Sequence, residues 1–213
     1  MTTLFLVRHA MTAVTGKTLY GQTRGVVLDE RGRAQAERLV ERLAPVRITA
    51  VYSSPLERCV QTVAPLAARR GLEVIPRDGL IEMDAGSWTN RPLARLRRTR
   101  LWRDLMEHPS QFRFPGGESY AEAQARALTE IQVIATRHPR GRVVVGTHGD
   151  VVRMLVAHLT GAPLDLFQRT MSEPASVSVV MLGRGGPRVL LVNDTGGLER
   201  FAPPPRAKRN LRG

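Results

Sequence analysis

The stretch LFLVRHAMT, residues 4–12, joins a short apolar run to an arginine and a histidine. Four consecutive apolar residues have the length and composition of a buried β-strand. In open α/β sheets, ligands bind beyond the carboxyl ends of the strands, so Arg8 and His9 stand where a ligand site is expected. On this stretch alone, a strand that merely ends in polar residues remains an open alternative. The rest of the chain has to decide between the two interpretations.

The composition is that of a globular protein with an aliphatic core. The chain has 213 residues, of which 42% are hydrophobic and 5% aromatic. No apolar stretch reaches the roughly 18 residues that a membrane span needs, and the run before Arg8 is too short for the core of a signal peptide. A single cysteine, Cys59, excludes an internal disulfide and agrees with a reducing compartment. We therefore expect a cytoplasmic protein without membrane contact.

The charge of the chain is strongly positive. Lysine and arginine total 32 against 19 acidic residues, which gives a net charge of +13. Such an excess attracts anions, and basic clusters bind nucleic acid non-specifically. Six arginines fall between Arg91 and Arg103, but the sequence has no aromatic platform or recognisable nucleic-acid module. We therefore do not expect a nucleic-acid partner. The basic, proline-rich tail, residues 203–213, is expected to be disordered.

Strand-like and helix-like patterns alternate along the chain. Apolar runs typical of strands lie at residues 4–7, 48–52, 72–75, 143–146, 177–182 and 189–192. Amphipathic patterns predict helices over residues 31–43, 56–70, 119–136 and 150–159. This alternation predicts an α/β protein with three layers, α/β/α, around a mostly parallel central sheet. The last two runs predict a terminal hairpin. The whole is expected to form one domain over residues 1–202.

An apolar strand followed by a cation or an imidazole occurs three times. Residues 4–7 precede Arg8 and His9, residues 48–52 precede Arg58, and residues 143–146 precede His148. If these strands are parallel neighbours, their carboxyl ends bring the four side chains into one pocket. Guanidinium groups offer paired donors that match phosphate oxygens, and a helix beginning near Leu56 adds backbone N–H groups. The spacing therefore favours a site for a phosphoryl group.

With these residues, the chain resembles the histidine phosphatase superfamily, also called the phosphoglycerate mutase-like family. The resemblance rests on motifs in order along the chain, which are LVRHAMT at 6–12, SSPLERCVQT at 53–62, LIEMDAGSW at 80–88, PGGES at 115–119 and GTHG at 146–149. It covers residues 4 to about 160 and leaves out the basic tail. It implies a phosphoglycerate mutase-like fold.

The resemblance also implies the roles of the site residues. His9 would be the nucleophile that forms a phosphohistidine, which water later hydrolyses. Arg8, Arg58 and His148 would bind the phosphoryl group and stabilise the charge of the transition state. Glu82 would protonate the leaving alcohol and then activate water, although the residues alone leave it open as an ordinary solvated carboxylate. No metal and no cofactor is expected in this scheme.

Substrate contacts beyond these are less well defined by the motifs. Thr15 stands where many members of the family place a phosphate-contacting asparagine, and a threonine can still donate one hydrogen bond. The loop at Gly21 and the glycine after the second histidine, Gly149, are further expected contacts. Asp84 is a second candidate for the acid.

The same family contains phosphatases and mutases. Its mutases carry a longer, basic, tyrosine-bearing lid after the glutamate motif, and the segment between Arg91 and His108 is short and lacks that pattern. We therefore favour hydrolysis of a small phosphorylated metabolite over a phosphoglycerate mutase activity. A non-catalytic phospholigand-binding module is the alternative from another class, and a homodimer remains open. Arg95 and Arg97 are expected to recognise a carboxylate or second phosphate on the substrate.

Overall fold

A computed structural model describes residues 1–196 of the chain. The central sheet has six strands, which are β1 (Thr2–Arg8), β3 (Ala50–Ser53), β4 (Val74–Pro76), β6 (Arg142–Thr147), β7 (Val177–Leu182) and β8 (Arg188–Asp194). Their order in the sheet is β4-β3-β6-β1-β7-β8. The first four strands in this order are parallel, β7 is antiparallel to β1, and β8 is antiparallel to β7. The mostly parallel sheet and the terminal hairpin are thus as predicted. The predicted tail, residues 203–213, lies outside the described residues.

Six helices accompany the sheet. They are α1 (Glu30–Arg42), α2 (Glu57–Arg69), α3 (Leu93–Leu96), α4 (Arg100–Glu107), α5 (Tyr120–Arg137) and α6 (Gly149–Leu159). The four longest match the predicted helices to within about two residues at each end. Two of their starts have side-chain caps: Asp29 accepts from the N–H of Gly32 at 2.8 Å, and Ser119 forms a capping box with Glu122. None of the helices within residues 1–196 is long and apolar enough to cross a membrane.

The three layers follow from the two-residue period of a strand. In β1, Leu4 and Leu6 pack into a cluster with residues of α5 and α6, whereas Phe5 and Val7 pack into a second cluster with residues of α1 and α2. All four are fully buried. Because both faces of β1 are covered by helices, neither face carries polar side chains at residues 4–7. This explains why this part of the strand is a continuous apolar run and not an alternating pattern.

Sheet register brings the predicted site residues to one edge. Arg8 pairs with Thr147 across β1 and β6, and Ser53 pairs with Gly146 across β3 and β6. The backbone continues this pairing past the strands, where the N–H of His9 donates to Thr147 O at 2.8 Å. The carboxyl ends of three parallel neighbours therefore meet, as the sequence predicted.

A small region between residues 91 and 107 was not predicted. A two-stranded sheet joins β2 (Thr18–Leu19) to β5 (Arg91–Pro92), and α3 and α4 follow directly. The elements are two to eight residues long, too short for a reliable periodic signal. Residues of β2, α3 and α4 line the cavity described below.

Candidate active site

His9 is held as a neutral imidazole with one defined tautomer. Its side chain is buried, and Nδ1 lies 2.8 Å from the carbonyl oxygen of Ala10. A carbonyl only accepts, so Nδ1 carries the proton and the lone pair is on Nε2. Burial, and then the charge of Arg8, lowers the pKa of His9 to about 3. Nε2 is thus the unprotonated ring nitrogen, and it accepts from the hydroxyl of Tyr20 at 3.3 Å.

Two guanidinium groups flank this histidine. Arg58 is fully buried and donates to the carbonyl oxygens of Gly21, at 2.6 Å, and Thr23, at 3.1 Å. Arg8 donates to the carbonyl oxygen of Ser172. In each arginine the buried Nε–H has no acceptor among the described residues. Because an unpaired buried donor is costly, two of them beside His9 indicate a site that is completed by an anion.

The imidazole of His148 contacts His9 on one side and lies near the carboxyl group of Glu82. The two ring centroids are 5.4 Å apart, and Nδ1 of His148 is 3.6 Å from Oε2 of Glu82. On its other side, Nε2 is 2.8 Å from Oγ of Ser54. Burial and then Arg58 hold the pKa of His148 well below its usual value, so this imidazole is also neutral. It is the residue immediately before α6 and makes no side-chain capping bond, so the backbone N–H groups at the amino end of this helix are not occupied by the imidazole and favour an anion.

Glu82 has the properties of a proton donor at neutral pH. Its side chain is 19% exposed, and Oε1 accepts from the N–H of Met83 at 3.1 Å. Burial, and then the nearby carboxylate of Asp150, raises the pKa of Glu82 to about 7. Asp84, the second candidate acid, is exposed and accepts from the N–H of Gly86. Glu82 lines the cavity described below, and Asp84 does not.

A cavity of about 380 Å³ opens in front of these residues. Of the residues predicted to form the site, five contribute to its lining: Arg8, His9, Gly21, Glu82 and Gly149. Arg58 and His148 are fully buried directly behind that lining. Gly149 packs so closely on Arg8 that a β-carbon there would lie 3.1 Å from Nε of the arginine. The predicted residues thus come from five separate parts of the chain to one place.

Thr15 and Arg95 are placed differently from the prediction. The hydroxyl of Thr15 accepts from the N–H of Thr12 at 3.1 Å and lies outside the cavity lining, so the geometry does not support a direct contact with substrate. Its nearest link to the site is the hydroxyl of Tyr20, at 3.5 Å. Arg95 is exposed and also outside the lining, whereas Arg97 is part of it.

The sequence interpretation missed the residues of the far wall and Tyr20. Beside Arg97, which was predicted, the far wall includes Leu93, Trp102, Leu105 and Met106, which come from α3 and α4. Trp102, Leu105 and Met106 have the i, i+3, i+4 spacing of one helix face, a signal that was available in the sequence. Tyr20 lies in an irregular loop after β2 and gave no comparable signal.

Comparisons with known proteins agree on one family and one fold. The profile of the histidine phosphatase superfamily (branch 1) matches residues 4–195. Phosphoserine phosphatase 1 of Hydrogenobacter thermophilus is 32% identical over 203 residues, covering 94% of this chain and 96% of that protein. YhfR of Bacillus stearothermophilus is similar in structure, with a TM-score of 0.85 and 28% identity, covering 91% of this chain and 98% of that one. A mycobacterial glucosyl-3-phosphoglycerate phosphatase in complex with VO3 has a TM-score of 0.81 and 26% identity, covering 90% of this chain and 98% of that one.

Proposed function

The chain belongs to the histidine phosphatase superfamily, and on that basis we propose that it hydrolyses phosphomonoesters through a phosphohistidine on His9. In the first step, Nε2 of His9 attacks phosphorus, the bond to the leaving oxygen breaks, and Glu82 gives that oxygen its proton. In the second, the carboxylate of Glu82 takes a proton from water, the water oxygen attacks phosphorus, and the P–N bond breaks. Phosphate leaves, and both residues return to their starting state.

The single observation that carries this proposal is the geometry of His9, whose Nδ1 lies 2.8 Å from the carbonyl oxygen of Ala10 and which lines the same cavity as Glu82. A neutral His9 with its lone pair on Nε2 stands in the same cavity as a glutamate whose pKa of about 7 keeps it partly protonated. Nucleophile and acid are therefore both in the required form near pH 7. Arg8, Arg58 and His148 supply the donors for the three oxygens that carry charge in the transition state.

The substrate that fits this site is a small phosphorylated metabolite. A cavity of about 380 Å³ is within the usual range for small-molecule sites, roughly 300–1,000 Å³. L-phosphoserine belongs in the first test, because a relative that matches nearly the whole chain is a phosphoserine phosphatase. The short α3–α4 segment, in place of a long lid, favours water over a second hydroxyl group as the acceptor.

The test is phosphate release from p-nitrophenyl phosphate, L-phosphoserine and a panel of phosphorylated metabolites, run beside a mutase assay with 3-phosphoglycerate. We expect hydrolysis of p-nitrophenyl phosphate and of at least one metabolite, without isomerisation of 3-phosphoglycerate. Isomerisation faster than phosphate release would make the chain a mutase. Tight phosphate binding with no turnover of any ester would make it a binding module.

We expect metal chelators to leave the rate unchanged. Within residues 1–196, no three His, Cys, Asp or Glu side chains are grouped as a metal site requires, and the proposed steps use protein side chains throughout. The measurement is hydrolysis of p-nitrophenyl phosphate before and after dialysis against EDTA. Loss of activity that added divalent metal restores would contradict the proposed chemistry.

Ser54 is expected to position His148. Its hydroxyl lies 2.8 Å from Nε2, so a hydroxyl that donates there places the imidazole proton on Nδ1, facing Glu82 and the phosphoryl site. Replacing Ser54 by alanine should lower kcat about tenfold with little change in KM, the size expected for one net hydrogen bond. It should also move the ¹⁵N shifts of His148 toward the other tautomer.

Ser53→Ala is the matched control for this variant. Ser53 is equally buried, but its hydroxyl donates to the carbonyl oxygen of Ser54 and does not contact His148. We expect Ser53→Ala to leave the ¹⁵N shifts of His148 in place, and Ser54→Thr to restore most of the rate. If Ser54→Ala and Ser53→Ala lower kcat equally and the ¹⁵N shifts of His148 do not change, then Ser54 contributes only to packing.

A further inference from the structure

The wall of the cavity formed by α3 and α4 differs in chemistry from the phosphate site. It presents mainly apolar side chains, together with one guanidinium, that of Arg97. We propose that the leaving group of the substrate has an apolar body that packs on this wall and ends in a carboxylate bound by Arg97. This inference rests on the proposed phosphatase function and specifies its substrate class.

The indole ring of Trp102 is a firmly held surface on which the apolar body of the leaving group can pack. Its ring stacks on that of Trp88, with centroids 6.1 Å apart and an interplanar angle of 16°, and Trp88 is itself buried against Phe112 and Phe114. This support fixes the indole, so a ligand does not have to order it. Met106, on the same face of α4, lines the cavity and is 46% exposed. Covering such a side chain with apolar surface of a ligand is favourable.

Arg97 is available for a ligand, whereas the other arginine near the wall is not. Arg153 lines the cavity, but its guanidinium is paired with Asp150 and lies 5.2 Å from the ring centroid of Phe167. Arg97 has no carboxylate partner among the described residues, and its guanidinium lies 6.0 Å from the ring centroid of Trp102. The aromatic ring leaves the donors of the guanidinium free while limiting its position.

The charges around Arg97 favour a carboxylate over a second phosphate. The cavity lining contains two acidic side chains, and neither is paired with Arg97. Glu82 belongs to the phosphate site, and Asp150 is paired with Arg153. One guanidinium matches one carboxylate in charge and in its two parallel donors. A phosphate dianion has a third oxygen and a second charge, and among the described residues of this wall no further cation is free to receive them.

Three aryl phosphates test this inference, because they differ only at the far end of the leaving group. They are the phenolic monophosphates of 4-hydroxyphenylacetate, of its carboxamide, and of 4-hydroxybenzylphosphonate, whose P–C bond is not hydrolysed. The methylene group insulates the reacting oxygen, so the ease of bond breaking is nearly the same in all three. For the wild-type chain we expect kcat/KM to be about tenfold higher for the carboxylate than for the carboxamide, the size of a charge-assisted hydrogen-bonded pair.

Arg97→Gln should remove that preference, and Arg95→Gln should not. Arg95 is two residues away, carries the same charge and lies outside the cavity lining, so it controls for the net charge of the surface. The decisive quantity is the ratio of kcat/KM values for the carboxylate and carboxamide esters in one protein sample. This ratio cancels any loss of folded enzyme. We expect it to fall to near one in Arg97→Gln and to stay at the wild-type value in Arg95→Gln.

Two results would overturn the inference while leaving the phosphatase function intact. One is hydrolysis of all three esters with a ratio that Arg97→Gln does not change. The other is a stronger dependence on Arg97 for the phosphonate-bearing ester than for the carboxylate-bearing ester. Failure to hydrolyse any of these esters or p-nitrophenyl phosphate would instead count against the proposed function itself.

Discussion

Replacement of His9 by alanine should lower kcat for phosphate release by at least about 10⁴-fold, because among the described residues no other imidazole and no thiolate lines the cavity. His148 is buried behind the cavity lining, and the pKa of the buried Cys59 thiol is raised far above its usual value, so the thiolate is not formed at neutral pH. Phosphate binding should survive in this variant, because Arg8, Arg58 and the amino end of α6 are retained.

The intermediate can be trapped directly. Brief reaction of the wild-type chain with a ³²P-labelled ester, followed by denaturation, should give a label that is stable in alkali and lost in acid, as for a phosphoramidate. His158→Ala is the matched control, because His158 lies on α6 but is exposed and outside the cavity lining. An acid-stable label, or full activity in His9→Ala, would exclude His9 as the nucleophile.

Glu82→Gln should lower kcat/KM for an alkyl phosphate by about 10²–10⁴-fold, the usual contribution of a general acid. An alkoxide is a poor leaving group and needs the proton that glutamine cannot give. Nitrophenolate leaves without one, so kcat/KM for p-nitrophenyl phosphate should fall far less. Because Glu82 also activates water, this variant should release a burst of nitrophenol and then stop as phosphohistidine accumulates.

The adjacent carboxylate provides the control for this variant. Asp84 is exposed and caps the N–H of Gly86, and asparagine preserves that contact, so Asp84→Asn should leave both substrates unaffected. Equal losses on the alkyl and nitrophenyl esters in Glu82→Gln would mean that Glu82 acts on binding or on structure. Proton donation would then have to come from another group.

The pH dependence of kcat/KM follows from the same groups. Glu82 donates only in its protonated form, and its pKa is about 7, so the rate on an alkyl phosphate should fall tenfold per pH unit well above pH 7. The pKa of His9 is about 3, so protonation of the nucleophile removes no activity between pH 4 and 7. In Glu82→Gln the alkaline fall should vanish. A wild-type profile that stays level to pH 9 would contradict the assignment of the acid.

The positions of the strands and of the principal site residues were accessible from the sequence. Apolar runs that stop at Arg8, at Ser53 and at Thr147 mark strand ends, and parallel pairing makes neighbouring ends coincide. That reasoning needs only the pattern of apolar runs and the position of ligand sites beyond the carboxyl ends of parallel strands. It therefore placed His9, Arg58 and His148 together, and it gave the order of layers without any coordinates.

The tertiary structure decided the chemical state of those residues and the shape of the wall that faces them. The pKa of about 7 for Glu82 arises from burial and from Asp150, a residue 68 positions away, and neither is a local property of the glutamate. Likewise, Arg97 and Arg95 are equivalent in the sequence, and only the packing of α3 and α4 turns one of them toward the cavity. Periodicity fixes where a strand or helix ends. Burial and through-space distance depend on every element packed around a group, and those became known only with the fold.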